Sequence, residues 1–89
     1  MRFEWDEEKR QSNIAKHGID FSRAALLFDG RDVIETLSAF ADEERWQTTG
    51  IVDERFMTVI WTRRDDVIRL ISARRARDGE KRDYYNNYP

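Results

Sequence analysis

The sequence contains no cysteine, one histidine, one proline and four glycines among its 89 residues. Without cysteine there can be no disulfide bond and no thiolate site for metal or redox chemistry. One histidine cannot supply the several imidazole ligands of a typical zinc site. We therefore expect a protein that needs neither a metal ion nor a cofactor.

Long apolar segments are also missing. The longest apolar run, Ala24–Phe28, is far shorter than the roughly 20 residues that span a bilayer. The N-terminal segment soon becomes acidic, at Asp6, Glu7 and Glu8, and contains no apolar signal segment. These features predict a cytoplasmic protein that makes no use of a membrane.

Aromatic residues, by contrast, are well represented. Five Phe, three Tyr and three Trp supply enough large apolar side chains for one hydrophobic core, which argues against disorder although 38 % of the residues are charged. A chain of this length supports one domain, so we predict a single domain over residues 1–89.

Positive charge is concentrated toward the C-terminal end. Residues 1–54 contain seven basic and 13 acidic residues, whereas residues 55–89 contain nine basic and five acidic ones. Arginine accounts for 13 of the 16 basic residues, and its planar group suits bidentate contact with phosphate or carboxylate. This bias indicates an anionic partner, either a nucleic acid or an acidic protein surface, with a merely solvated basic face as the alternative.

Two short helices are predicted before residue 30. Asp6 is a suitable N-cap for a helix that runs to about His17, and Gly18 suits the left-handed position that ends it. Asp20 is a suitable cap for a second helix. The apolar residues of that helix follow helical spacing: Phe21, Ala24, Ala25 and Phe28.

The remaining sequence predicts strands and a last helix. Strands are expected over Val33–Leu37, Arg45–Val52, Arg55–Arg63 and Val67–Ala73, with a polar turn at residues 41–44 and a C-terminal helix from Asp78 to about Tyr85. The alternation of Phe3, Glu4 and Trp5 is also compatible with a short strand. The economical arrangement is an α+β fold: two N-terminal helices, a four-stranded antiparallel meander and a C-terminal helix.

Two further expectations concern individual side chains. In the last strand, simple alternation places Ile68, Leu70 and Ser72 on one face and Arg69, Ile71 and Ala73 on the other. Trp46 lies among polar residues, and we expect it to be exposed or at an interface.

Two blocks of residues carry a family resemblance. The first is Phe3-x-Trp5-Asp6-x-x-Lys9 followed by Asn13-x-x-Lys16-His17-Gly18-x-Asp20-Phe21, and the second is Arg69-Leu70-Ile71-Ser72-Ala73-Arg74-Arg75-Ala76 with Glu80 and Tyr84 behind it. Together they resemble the BrnT family of ribonuclease toxins from type II toxin–antitoxin pairs.

The resemblance implies a RelE-like fold and an endoribonuclease that cleaves RNA without a metal ion and thereby blocks translation. It also implies neutralisation by a BrnA-type antitoxin that has its own DNA-binding domain. In the family, the complex of toxin and antitoxin binds operator DNA and represses its operon.

Cleavage of RNA without a metal needs a base, a cation that stabilises the charged phosphorane and an acid for the leaving oxygen. Histidine is the residue type that exchanges protons near neutrality, which makes His17 a candidate, although a histidine also suits the last turn of a helix. Arg74 is the candidate for stabilising the phosphorane. Glu80 and Tyr84 are four residues apart and share a helix face, where they would supply a base and a stacking platform. Helix-dipole stabilisation explains Glu80 equally well.

Lys16, Arg64 and Arg75 are candidate RNA contacts. Each is otherwise a solvated basic residue, and the arginine cluster is alternatively a docking site for an acidic antitoxin segment. Two other functions therefore stay open: a non-catalytic nucleic-acid or antitoxin-binding module that uses this arginine patch, and a small structural subunit that is insoluble without its partner.

Overall fold

The computed structural model describes residues 1–40 and 43–89, apart from the side chains of residues 39, 40 and 43. The predicted turn at residues 41–44 thus lies partly outside the described residues. The strands are β1 (Arg2–Glu4), β2 (Val33–Phe40), β3 (Glu43–Val52), β4 (Arg55–Arg64) and β5 (Val67–Arg75). The helices are α1 (Glu7–His17), α2 (Phe21–Ala24) continued by a 3₁₀ helix (Ala25–Phe28), and α3 (Asp78–Asn87).

All five strands form one sheet in the order β1-β5-β4-β3-β2. Strands β2 to β5 are the predicted antiparallel meander. The predicted total of four antiparallel strands is wrong, because β1 pairs with β5 in parallel, from Arg2 opposite Val67 to Glu4 opposite Arg69. Pairing with β5 brings Phe3 against Phe28, with ring centroids 5.6 Å apart. The α+β class is confirmed, with a mixed sheet of five strands.

Side chains and glycine at the ends define α1. The Asp6 carboxylate accepts hydrogen bonds from the backbone N–H groups of Glu8 (2.8 Å) and Lys9 (3.2 Å), which have no partner within the helix. Gly18 ends the helix with a φ of 67°, in the left-handed region that favours glycine. Both ends therefore lie where the sequence predicts them.

Asp20 joins the two N-terminal helices. It caps α2 by accepting a hydrogen bond from the Ser22 N–H group, and it receives two more from Arg10, at 2.9 Å each. The hydrogen bonds from Arg10, followed by that from Ser22, hold the pKa of Asp20 well below its usual range. The orientation of α2 relative to α1 is thus fixed by an ionised carboxylate.

The hydrophobic core lies between one face of the sheet and the α2–3₁₀ segment. Phe21 and Leu27 are fully buried there, and Trp61 is 4 % exposed. Trp46 is half-buried and stacks on Trp61 with centroids 5.0 Å apart, so the expectation that Trp46 is exposed is wrong, whereas its place at an interface stays a prediction. Its polar neighbours in sequence belong to the opposite face of β3, because side chains alternate along a strand.

A β-bulge in β5 changes which residues face the core. Ile60 pairs with Ser72 and Trp61 pairs with Leu70, which leaves Ile71 as the extra residue. Leu70 and Ala73 are consequently both buried, whereas Ile71 and Ser72 lie outside the core. The predicted alternation along this strand is therefore wrong after Leu70.

Among the described residues, no helix has both the length and the apolar character needed to cross a bilayer.

Candidate functional site

Helix α1 is held against β5 by one buried side chain. Asn13 donates hydrogen bonds to the carbonyl oxygens of Ala73 (2.8 Å) and Ile19 (2.9 Å), and its Oδ1 accepts one from the Ala73 N–H group (3.0 Å). The Ala73 groups lie on the edge of β5 beyond the point where β1 ends. The Asn13 amide thus takes the place of a neighbouring strand and sets the position of α1 along β5.

A groove of about 190 Å³ runs between α1 and β5, and we name it the α1 groove. It is lined by Lys9, Ser12, Asn13, Lys16, His17, Ile71 and Ser72. His17 and Lys16 therefore share one cavity with the hydroxyl groups of two serines. Two lysines and a histidine make the groove suitable for an anionic group such as a phosphate.

The sequence reasoning selected Lys16 and His17 but not their neighbours in the groove. Lys9, Ser12 and Lys16 are spaced i, i+3, i+7, so they occupy one face of α1. That spacing is visible in the sequence and would have identified Lys9 and Ser12. The position of Ser72 in the groove could not be predicted from the sequence, because it depends on the bulge in β5.

A second groove, of about 270 Å³, lies on the face of the sheet that is turned away from the core, and we name it the sheet groove. Its lining consists of Ser38, Arg45, Gln47, Ile60, Ile71 and Ser72. Ile71 and Ser72 also line the α1 groove, so the two grooves meet along these two residues. No carboxylate of a described residue lines either groove.

Arg74 and Glu80 form an ion pair beneath α3. Two nitrogens of the Arg74 guanidinium donate to the two carboxylate oxygens of Glu80, at 2.8 and 2.9 Å. The Arg77 N–H group and the Thr58 hydroxyl also donate to Glu80, at 2.7 and 3.0 Å. Since Thr58 uses its only proton in this bond, the Thr49 hydroxyl donates to Thr58, at 2.6 Å. The structure thus brings together Arg74 and Glu80, and adds two threonines that the sequence reasoning missed.

This network determines the acidity of Glu80. Burial disfavours the charged carboxylate, but the hydrogen bonds from Arg74, Arg77 and Thr58 outweigh it and lower the pKa of Glu80 to about 2. Glu80 is therefore ionised at neutral pH and is a weak base.

Tyr84 lies on the same face of α3 as Glu80, as the spacing predicts, but it has different neighbours. Its ring contacts Phe56 and Tyr88, with centroid distances of 5.1 Å in both cases, and Tyr85 at 5.7 Å. Burial raises the pKa of the Tyr84 phenol. Tyr84 thus belongs to an aromatic cluster that attaches α3 to the sheet.

The other predicted basic residues are placed apart. Arg75 is exposed at the end of β5, next to Arg74. Arg64 is exposed at the end of β4, six residues beyond Thr58, which pairs with Arg74. Six residues of strand correspond to about 20 Å, so Arg64 does not share a site with Arg74.

Metal-binding residues do not cluster in the part of the chain that the structure describes. Over residues 1–40 and 43–89, no group of three or more His, Cys, Asp or Glu side chains is arranged to hold a metal ion.

The fold and the two grooves define a small α+β protein with a cationic, histidine-containing site suited to an anionic ligand. The family model described as "Ribonuclease toxin, BrnT, of type II toxin-antitoxin system" matches residues 5–80. The chain therefore belongs to the BrnT family of ribonuclease toxins, which confirms the resemblance noted in its sequence. Membership in a type II toxin–antitoxin family implies an antitoxin protein as partner. A comparison with curated proteins gives no match.

Proposed function

We propose that this protein is a cytoplasmic endoribonuclease toxin that cleaves RNA without a metal ion and thereby inhibits translation. The observation that carries the proposal is the α1 groove, where His17 lies among Lys9, Lys16 and Ser72. A RelE-like mode of RNA cleavage belongs to the same proposal. It is supported by the family match and by a site that combines a proton-transfer group with fixed positive charge.

In the proposed reaction, the 2′-hydroxyl of a ribose loses its proton and its oxygen attacks the adjacent phosphate. The bond from phosphorus to the 5′-oxygen of the next nucleotide breaks, and that oxygen takes up a proton. Histidine is the residue type that most often accepts and returns protons in catalysis, and His17 is the histidine that lines the groove. Lys9 and Lys16 hold the phosphate and offset the negative charge that grows on it. Of the two proton-transfer candidates in the sequence, His17 and Glu80, we therefore favour His17.

Arg74 extends the positive charge of the groove. It lies two residues after Ser72 on β5, and so about 7 Å further along the same face of the strand. Its bidentate bond to Glu80 fixes the guanidinium but also offsets part of its charge. We propose that Glu80 orients Arg74, that Arg74 contributes to phosphorane stabilisation with its remaining N–H groups, and that exposed Arg75 contacts the flanking RNA.

Tyr84 and Arg64 have weaker roles in this proposal. Tyr84 is surrounded by other aromatic rings, and we propose that it supports α3 rather than stacks on a base. Arg64 lies about 20 Å from Arg74 along β4 and would reach only a distant segment of a long RNA.

The partner is proposed to be a BrnA-type antitoxin. The cationic α1 groove is suited to an acidic segment of the antitoxin, which would exclude RNA from it. The resulting complex is proposed to bind operator DNA and repress its operon, using the DNA-binding domain of the antitoxin.

The test is the cleavage of a labelled single-stranded RNA by the purified protein, measured in EDTA over pH 5–9. His17→Ala should lower the rate by about 100- to 10,000-fold and remove the limb of the pH profile near pH 6–7. Gln11→Ala, on the exposed face of α1, is the matched control and should behave as the unaltered protein.

The role of Arg74 is tested with a variant that does not leave the partly buried Glu80 carboxylate without its partner. The double variant Arg74→Met with Glu80→Gln replaces the ion pair by a neutral pair, and it should lower cleavage at every pH without moving the pH optimum. Equal RNA binding by all variants, without turnover by any of them or by the unaltered protein, would instead identify a non-catalytic binding module.

A further inference from the structure

The sheet groove meets the α1 groove along Ile71 and Ser72, so a ligand in one groove is adjacent to a ligand in the other. If a phosphate occupies the α1 groove, a base of the same RNA strand is within reach of the sheet groove. The bulge in β5 produces this continuity, because it brings Ile71 and Ser72 out of the core together. Bulges occur often next to functional sites, where they redirect side chains.

The sheet groove combines an apolar wall with groups that form hydrogen bonds. Ile60 and Ile71 are half-buried and offer contact to the flat face of a ring. Gln47 pairs with Ile60 across β3 and β4, it is a half-buried residue, and its side-chain amide has no hydrogen bond to any other described residue. The volume of about 270 Å³ is below the range of about 300–1,000 Å³ for drug-sized ligands, which favours a single ring system.

Gln47 distinguishes among the four bases by its chemistry. A glutamine amide forms two hydrogen bonds with N6 and N7 of adenine. The N7 acceptor is present in both purines and absent from pyrimidines. Bases of single-stranded RNA are read along these edges when they are unstacked.

We propose that the sheet groove is a nucleobase subsite that binds a purine next to the scissile phosphate, with Gln47 as the residue that reads it. This inference rests on the proposed RNA cleavage by the α1 groove. It adds to that activity a preference for the base next to the cleaved bond in the RNA. The preference is set by a part of the sheet that contains none of the residues proposed for proton transfer.

The experiment uses the full chain and a set of RNA oligonucleotides of uridine that differ only by one adenosine, guanosine or cytidine at the centre. The unaltered protein should cleave next to the purine about 5- to 100-fold faster than next to cytidine. Gln47→Leu keeps the size of the side chain but removes the amide, and it should bring this ratio close to one. Gln11→Leu makes the same change on exposed α1 and should keep the ratio of the unaltered protein.

A binding measurement tests the nucleobase subsite independently of the proposed RNA cleavage. Dinucleotides with a 2′-O-methyl group cannot be cleaved, and their binding can be followed by NMR at the Gln47 side-chain amide and the methyl groups of Ile60 and Ile71. Tighter binding of purine than pyrimidine dinucleotides, with shifts at these groups, would support the subsite even if free RNA is not cleaved.

Three results would overturn the subsite. The first is cleavage of all oligonucleotides at one rate, which would leave the activity intact but without base reading. The second is equal binding of purine and pyrimidine dinucleotides, or shifts confined to α1. The third is a Gln47→Leu protein that keeps its purine preference but no longer binds the antitoxin, which would make the sheet groove a protein contact.

Discussion

The carboxylate of Glu80 couples the stability of the protein to pH. Its pKa is lowered to about 2 in the folded protein, from an ordinary value of 4.5. A group with a lowered pKa stabilises the fold above its ordinary pKa, and this contribution is lost as the pH falls toward the folded-state value. Stability should therefore fall as the pH is lowered from about 5 to about 2.

The comparison of the unaltered protein with Glu80→Gln tests this pH dependence of the stability. The difference in their free energies of unfolding should be largest at pH 7 and should shrink below pH 4.5, as measured by urea denaturation at each pH. The exposed Glu8→Gln is the control and should leave the pH curve unchanged. A difference between the unaltered protein and Glu80→Gln that is constant over pH 3–7 would contradict the role of the ion pair.

Asn13 offers a second test at the scale of a residue. Asn13→Ala leaves the Ala73 N–H and C=O groups and the Ile19 carbonyl without their partner, which costs about 1–3 kcal/mol for each group that stays buried. We expect lower stability together with faster hydrogen exchange throughout α1. Exchange that increases equally in all elements would indicate global unfolding instead of release of α1.

The residues that begin and end the N-terminal helices could be predicted from the sequence, because their roles depend on their near neighbours in the chain. The caps Asp6 and Asp20 and the terminating Gly18 follow from local backbone chemistry, and all three are confirmed. Trp46 and Ser72 were misplaced, because their surroundings depend on strand neighbours that are remote in sequence. The pairing of Thr58 with Glu80 was missed for the same reason.

At the scale of elements, the β3–β4 hairpin has a turn with two residues in the left-handed region. Asp53 and Glu54 have φ values of 53° and 64°, as in a type I′ turn, whose twist matches that of the strands. For residues with a side chain this conformation is strained by about 1–2 kcal/mol. The sequence thus predicts the position of the turn correctly. Of its two central residues, Asp53 is a type that favours a type I′ turn, whereas Glu54 is not.

Glu54→Gly should therefore stabilise the protein by about 0.5–1 kcal/mol, since relief of strain exceeds the extra entropy of glycine in the unfolded chain. The midpoint of urea unfolding should rise. The matched control, Gln11→Gly within α1, should lower stability by about 1 kcal/mol. A lower midpoint for Glu54→Gly would mean that the Glu54 side chain stabilises the turn.

Most helices and strands could be predicted from the sequence, but the pairing of β1 and the bulge in β5 could not. The four strands of the antiparallel meander and both longer helices could be recognised, because each is defined by its own periodicity and by local turns. The parallel pairing of β1 with β5 could not, since three residues carry little pattern and their partner is far away in the sequence. The bulge at Ile71, on which both grooves depend, has no signal in the alternation of residues.

At the scale of the whole molecule, the net charge of −2 conceals a cationic site. RNA binding should therefore weaken strongly with salt, because lysines that contact phosphates displace counterions. For single strands, each phosphate contact contributes about −0.7 to the slope of log K against log salt concentration. With Lys9 and Lys16 in the groove, we expect a slope of about −1.4 or steeper.

Lys16→Gln should make this slope shallower by about 0.7, measured with a 2′-O-methyl RNA that cannot be cleaved. Lys81→Gln removes the same charge from the side chain over the Phe56 ring and is the matched control, which should keep the slope. An unchanged slope for Lys16→Gln would place the phosphate elsewhere on the protein.

The pairing of β1 with β5 has a consequence for the order in which the protein becomes active during synthesis. Arg2 pairs with Val67, and the α1 groove needs Ser72 beside Lys9, so both contacts join the start of the chain to a segment made more than 60 residues later. Contacts of such long range form slowly, since the intervening chain must first be closed into a loop. A chain still being translated has no groove until β5 has left the ribosome. The β5 side of the α1 groove is thus among the last parts of the fold to be synthesised.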